Sequence, residues 1–151
     1  MRATIADGKV TASAVVAAPP AEVFALLANP HRHNEFDGSG SVQSTLSGPD
    51  RLALGDTFGV RMKIGLPYRI TNHVVEFEDD RRIAWCHWAR AIWRYELEPV
   101  PEGTRVTETF DYGVSRFPKG IEKLKFPIAN AKSIRDTLGR LQEIFGAPTG
   151  G

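Results

Sequence analysis

His87 and Glu108 are the residues of this chain whose surroundings could make them chemically active. Each stands in an alternating apolar segment, Ile83-Ala84-Trp85-Cys86-His87 and Val106-Thr107-Glu108-Thr109-Phe110. A strand puts every second side chain on one face, so His87 shares a face with Ile83 and Trp85, and Glu108 with Val106 and Phe110. A polar group on such a face needs a partner, and a His–Glu pair in an apolar pocket is a general acid/base couple. Both residues also fit a structural role, as satisfied polar groups or at an open strand end. Tyr95 lies on the apolar parity of Trp93, Tyr95 and Leu97 and supplies a hydroxyl donor. Arg69 carries a fork of donors suited to a carboxylate or enolate oxygen, and equally suits a solvated sheet face. Glu108, His87, Tyr95 and Arg69 are thus the catalytic candidates, and no motif fixes their mutual geometry.

The other reactive residue types lack the spacing of a site. His31-Arg32-His33 places two histidines two apart, with Asp37 nearby. Zinc needs three or four converging ligands; His73 and His87 would have to come from other strands, and neither a Cys pair nor a His-x-x-x-His spacing supports them. No metal and no cofactor is expected. Asp37-Gly38-Ser39-Gly40 precedes a strand instead of joining a strand to a helix, so it reads as a turn and not as a phosphate cradle or nucleophile elbow. The single cysteine, Cys86, has no internal disulfide partner and behaves as a small apolar side chain.

The elements that position these residues follow from periodicity. Lys9 to Val16 alternates and is β-branched, a first strand. Pro19-Pro20 ends it and opens a helix over Ala21 to Ala28, and His31 to Phe36 forms a second short helical turn. Strands are expected over Ser41–Leu46, Thr57–Ile64, Tyr68–Glu78, Arg82–Trp88, Ile92–Glu98 and Thr104–Tyr112, separated by Gly-, Pro- and Asp-rich turns. Gly113 to Phe126 reads as a loop. A helix from Pro127 to Phe145 carries Ile128, Ala131, Ile134, Leu138, Leu141 and Phe145 on one stripe. Sequential strands with short turns are antiparallel neighbours. The fold class is α+β, with the last helix across one sheet face. Residues 1–151 make one domain, with a flexible tail at 146–151.

Composition narrows the function classes. The chain has 151 residues, and its 19 basic and 18 acidic side chains leave a net charge of +1. That balance gives no overall electrostatic footprint for nucleic acid or an anionic membrane. No run approaches the ~20 apolar residues of a membrane span, and Met1 to Val10 lacks the pattern of a signal segment. The expected compartment is the cytoplasm, without membrane insertion.

The opening Ala17-Ala18-Pro19-Pro20-Ala21-Glu22-Val23-Phe24, then Ile83-x-Trp85, Leu97-x-Pro99, Gly103-Thr104-Arg105-Val106-Thr107 and the closing amphipathic helix together resemble the START-related (SRPBCC) superfamily, in its polyketide cyclase/dehydrase and lipid-transport branch. The resemblance covers Lys9 to Phe145. It implies a helix-grip fold: a curved antiparallel sheet wrapped around a long C-terminal helix, two short helices after the first strand, and a cavity between sheet and helix. It implies no invariant catalytic residue. A hydrophobic small molecule is the expected partner, lipid, polyketide-like or aromatic. Its expected lining is Phe24, Phe36, Phe58, Met62, Tyr68, Trp85, Trp93, Tyr95, Glu108, Ile134 and Leu138, with Glu108, Tyr68 and Tyr95 orienting its polar atoms. Two alternatives stand beside this: a cyclase or dehydratase using Glu108 or His87 as acid/base, and a protein-interaction module with a filled core and an exposed apolar surface. Monomer and homodimer are both open.

Overall fold

The structure, a computed structural model, describes residues 1–148. Eight strands form one antiparallel sheet: β1 (Thr4–Ala6), β2 (Lys9–Val16), β3 (Val42–Ser47), β4 (Thr57–Ile64), β5 (Leu66–Glu78), β6 (Arg82–Cys86), β7 (Ile92–Val100) and β8 (Gly103–Asp111). Their spatial order is β1-β2-β8-β7-β6-β5-β4-β3. The first long strand therefore pairs with the last, and β3 to β8 run as a meander. Two short helices, α1 (Pro20–Leu27) and α2 (His33–Phe36), lie between β2 and β3, with a 3-10 turn at Pro30–Arg32 between them. α3 (Pro118–Lys123) and α4 (Phe126–Phe145) close the chain. This is the helix-grip arrangement.

Alternation builds the core as expected. Val10, Ala12, Ile83, Trp85, Tyr95, Leu97, Val106, Glu108 and Phe110 are all buried, and register aligns them: Trp85 faces Trp93, which faces Phe110, while Ile83 faces Tyr95, which faces Glu108. Ile134, Leu138 and Leu141 of α4 cover this face and are fully buried. The end of α4 is tied to β2, because the Gly146 carbonyl accepts from the Ala17 amide at 2.8 Å and the Gln142 amide donates to the Val15 carbonyl at 3.1 Å. Gly146 is thus anchored, and residues 149–151 of the expected tail lie outside the described residues.

Most element ends shift by one or two residues, and four differences from the sequence reading bear on the site and the surface. β1 was not anticipated; Asp7 and Gly8, at φ of 54° and 75°, form the two-residue turn joining it to β2, the conformation that Asp-Gly favours in hairpins. β6 ends at Cys86 and not at Trp88, since His87 to Arg90 close a turn in which the Arg90 amide donates to the His87 carbonyl. The segment read as a loop contains α3. Ile128, placed on the buried stripe of α4, is 64% exposed, because the stripe of Ala131, Ile134, Leu138 and Leu141 continues back to the buried Pro127, one residue around the helix.

Candidate functional site

The inward face carries one cluster in which rings surround polar atoms. α2 is four residues long, and its i, i+3 spacing turns His33 and Phe36 to the same side. Both are buried. The His33 ring stacks on Trp85 at 4.7 Å and meets Phe36 and Phe58 edge-on, each at 5.3 Å. Trp85 in turn contacts Phe58 at 5.5 Å and Tyr95 at 5.6 Å. The Tyr95 hydroxyl donates to Glu108 Oε2 at 3.0 Å. Glu108 is 2% exposed, and its Oε1 has no hydrogen-bond partner.

The loop after α2 closes over this cluster. The Asp37 carboxylate accepts from the Ser39 hydroxyl at 2.7 Å and from the Val42 amide at 3.3 Å, the expected turn at Asp37–Gly40. The Gly38 amide donates to the Thr137 hydroxyl of α4 at 2.8 Å. A Cβ on Gly38 would lie 2.5 Å from the Thr137 nitrogen, so only glycine allows this approach.

Burial governs the ionisation of the cluster. It pushes the Glu108 carboxyl well above its ordinary range, and the charge of Asp37 adds to this while the Tyr95 hydrogen bond partly opposes it. Burial first, then the charge and hydrogen bond of Glu108, raise the Tyr95 hydroxyl. Burial lowers His33 to about 4, against a hydrogen bond to the Leu27 carbonyl. A carbonyl only accepts, so Nε2, 2.8 Å from it, carries the ring hydrogen. All three groups favour their neutral forms. A carboxyl shifted upward by burial can donate its proton to a ligand oxygen and can equally serve in general acid/base chemistry.

The structure gathers part of the expected lining. Phe36, Phe58, Trp85, Tyr95 and Glu108 belong to the cluster, and Ile134 and Leu138 are buried in the adjoining core. Phe24 is buried elsewhere, edge-on to Phe77 at 5.6 Å. Met62 is half-buried, and Trp93 pairs with Phe110 at 4.6 Å. Tyr68 is not part of the cluster: it faces Met62 at the far end of the β4–β5 hairpin and is 39% exposed. Arg69 is exposed on that hairpin, where Arg61, Pro67, Tyr68 and Arg69 line a shallow groove of about 300 Å³. His87 is not brought to Glu108. It sits beyond the end of β6, where its Nδ1 accepts from the Ala89 amide, and it lines an open groove of about 490 Å³ with His73, Cys86, Trp88 and Arg116. The acid/base pair expected from parity therefore does not form, because the alternation of β6 stops one residue before His87. Sequence reasoning missed His33 as a member of the cluster; the i, i+3 spacing to Phe36 was the available signal. Among the described residues no group of three or more His, Cys, Asp or Glu converges as a metal site.

Residues 7–146 match the family model described as polyketide cyclase / dehydrase and lipid transport. The chain belongs to this family. Family membership agrees with the superfamily resemblance of the sequence and does not by itself assign an activity. Uncharacterized protein Rv0088 of Mycobacterium tuberculosis is 41% identical over 154 aligned residues, which cover 96% of this chain and 69% of that protein. The crystal structure of protein NE0264 from Nitrosomonas europaea superposes with a TM-score of 0.71 at 19% identity, covering 93% of this chain and 96% of that one. The solution structure of the Polyketide_cyc-like protein Cgl2372 from Corynebacterium glutamicum gives a TM-score of 0.62 at 25% identity, with 90% of each chain covered. These likenesses carry the fold.

Proposed function

We propose that the protein binds a hydrophobic small molecule bearing a carbonyl or hydroxyl oxygen, received between the inward sheet face and α2 and α4, with Glu108 and Tyr95 as its polar anchor. The observation that carries this reading is Glu108 Oε1, a carboxyl oxygen buried without a partner. An orphaned buried polar atom costs about 1–3 kcal/mol, which a ligand hydrogen bond would relieve. The raised ionisation of Glu108 supports a neutral acid whose O–H donates to the ligand. The rings of Phe36, Phe58, Trp85 and Tyr95 supply the apolar walls, in keeping with a family described by lipid transport.

Binding is preferred to the cyclase or dehydratase reading on one ground. Proton abstraction needs a base and a separate donor for the enolate oxygen; the Tyr95 hydroxyl is already donated to Glu108, and His87 and Arg69 lie outside the cluster. The test is a titration with dansylaminoundecanoic acid, followed by fluorescence. Saturable one-to-one binding is expected. Glu108→Gln and Tyr95→Phe should each weaken it about tenfold, the worth of roughly one buried hydrogen bond, with Arg105→Gln unchanged. Absence of saturable binding overturns the proposal. So does a Glu108→Gln variant with a lower melting temperature and unaltered affinity, which would make the carboxyl structural.

A further inference from the structure

The stretch from Val114 to Ile128 gathers apolar side chains on the surface. Val114, Phe117, Leu124, Phe126 and Ile128 each expose between 41% and 71% of their area. Trp88, 68% exposed, joins them from the turn between β6 and β7, its ring edge-on to Phe117 at 6.0 Å. Two hydrogen bonds hold the segments together, the Arg116 amide at 3.0 Å and the Ser115 hydroxyl at 2.7 Å from the Ala89 carbonyl. Scattered exposed apolar residues need no explanation, but five within the stretch 114–128, with Trp88 packed against one of them, are concentrated enough to mark an interaction surface.

The charges between these residues say what kind of surface it meets. Arg90, Arg116, Lys119, Lys123 and Lys125 are all exposed, and Glu122 is the one carboxylate in residues 113–131. None of the five cations makes a salt bridge among the described residues. The net charge of +1 therefore hides a basic end on a chain whose remainder is acidic on balance.

We propose that this end of the molecule docks on the surface of an anionic lipid bilayer. Trp88, Phe117, Leu124 and Ile128 would enter the boundary between headgroups and acyl chains, and the five cations would lie at the phosphates. Cations interleaved with exposed apolar side chains suit that boundary, where lysine stems run along apolar surface with the ammonium at the headgroups and tryptophan spans both environments. Charge complementarity favours it over a second copy, since a two-fold contact would set the same cations against themselves. The docking is superficial, as no described helix is long and apolar enough to cross a membrane.

Co-sedimentation with vesicles of phosphatidylcholine alone, and of equimolar phosphatidylcholine and phosphatidylglycerol, tests this. Binding is expected only with phosphatidylglycerol, and it should weaken as salt rises. Each cation near an anionic surface is worth about fivefold in partitioning, so Lys123→Gln with Lys125→Gln should lower binding roughly thirtyfold. Leu124→Ser should lower it severalfold, and both variants should keep the wild-type melting temperature because the side chains are exposed. Tryptophan emission should shift to the blue on binding, and Trp88→Phe should remove the shift. Equal partitioning to both vesicle types, or a double lysine variant that binds like wild type, overturns the proposal. Absence of vesicle binding overturns it too. In that case, concentration-dependent dimerisation lost in Leu124→Ser assigns the surface to a second copy, and a monomer leaves it to an acidic, apolar protein.

Discussion

Two buried groups with opposite proton linkage make the acid stability of this protein a direct test of the candidate site. Burial lowers His33 from the ordinary 6.5 to about 4. Between those values the unfolded chain binds more protons at His33 than the native one, so stability rises with pH across that interval. The shift corresponds to about 3 kcal/mol, fully present above pH 6.5 and lost as pH falls to about 4. Glu108 acts in reverse. Its folded ionisation lies well above the ordinary carboxylate range, so the native chain holds the proton that the unfolded chain has released. Its contribution is complete below the ordinary glutamate value and is lost as pH rises toward the folded one. Each group contributes a slope of at most about 1.4 kcal/mol per pH unit, and where the intervals overlap the slopes cancel. Urea unfolding followed by circular dichroism, in steps from pH 4 to 8, resolves the two by variants. Subtracting wild type from each variant removes the background of other carboxylates. Glu108→Gln should gain stability relative to wild type as pH rises from about 4.5. His33→Gln, which keeps a donor for the Leu27 carbonyl, should lose relative stability over the same steps. Curves that stay parallel to wild type for both variants would show that neither group is buried as described, and the polar anchor would fall with them.

Other expected outcomes follow from packing and charge. Leu138 is fully buried beneath the sheet, so Leu138→Ala should cost about 2–5 kcal/mol in denaturant unfolding; an unchanged midpoint would count against the helix-grip packing. Arg94, on the outer face, bonds Glu76 at 2.6 Å and stands 3.6 Å from the buried Asp111 carboxylate. Arg94→Leu should therefore cost on the order of 3 kcal/mol, while Arg105→Leu at the exposed pair with Glu98 should cost less than about 1 kcal/mol in the same assay. Gly38→Ala should lower the melting temperature and weaken dansylaminoundecanoic acid binding together. The added Cβ must push the Asp37 loop away from α4, and binding unaffected by this change would separate the loop from the site.

The sequence by itself determined the seven longer strands of the sheet, its covering helix and which side of β6, β7 and β8 faces inward. Those properties are local: alternation assigns a face, proline and glycine end an element, and short turns make neighbours antiparallel. Tyr95 and Glu108 were legible as inward residues for that reason. That they touch was decided by the register of β7 against β8, which places them directly opposite. His87 shows the limit of parity, since a strand ending one residue early removes a side chain from the face that counting assigned to it. Ile128 shows another, because the three-or-four spacing of α4 admits either Pro127 or Ile128 on the stripe, and packing buries Pro127. The Asp7-Gly8 turn was readable from its residue pair, and His33 from its spacing to Phe36. The orphaned oxygen of Glu108, the approach of Gly38 to Thr137 and the meeting of Trp88 with Phe117 were decided only by tertiary structure. Each depends on groups far apart in the chain, and no local pattern of residues specifies the distance between them.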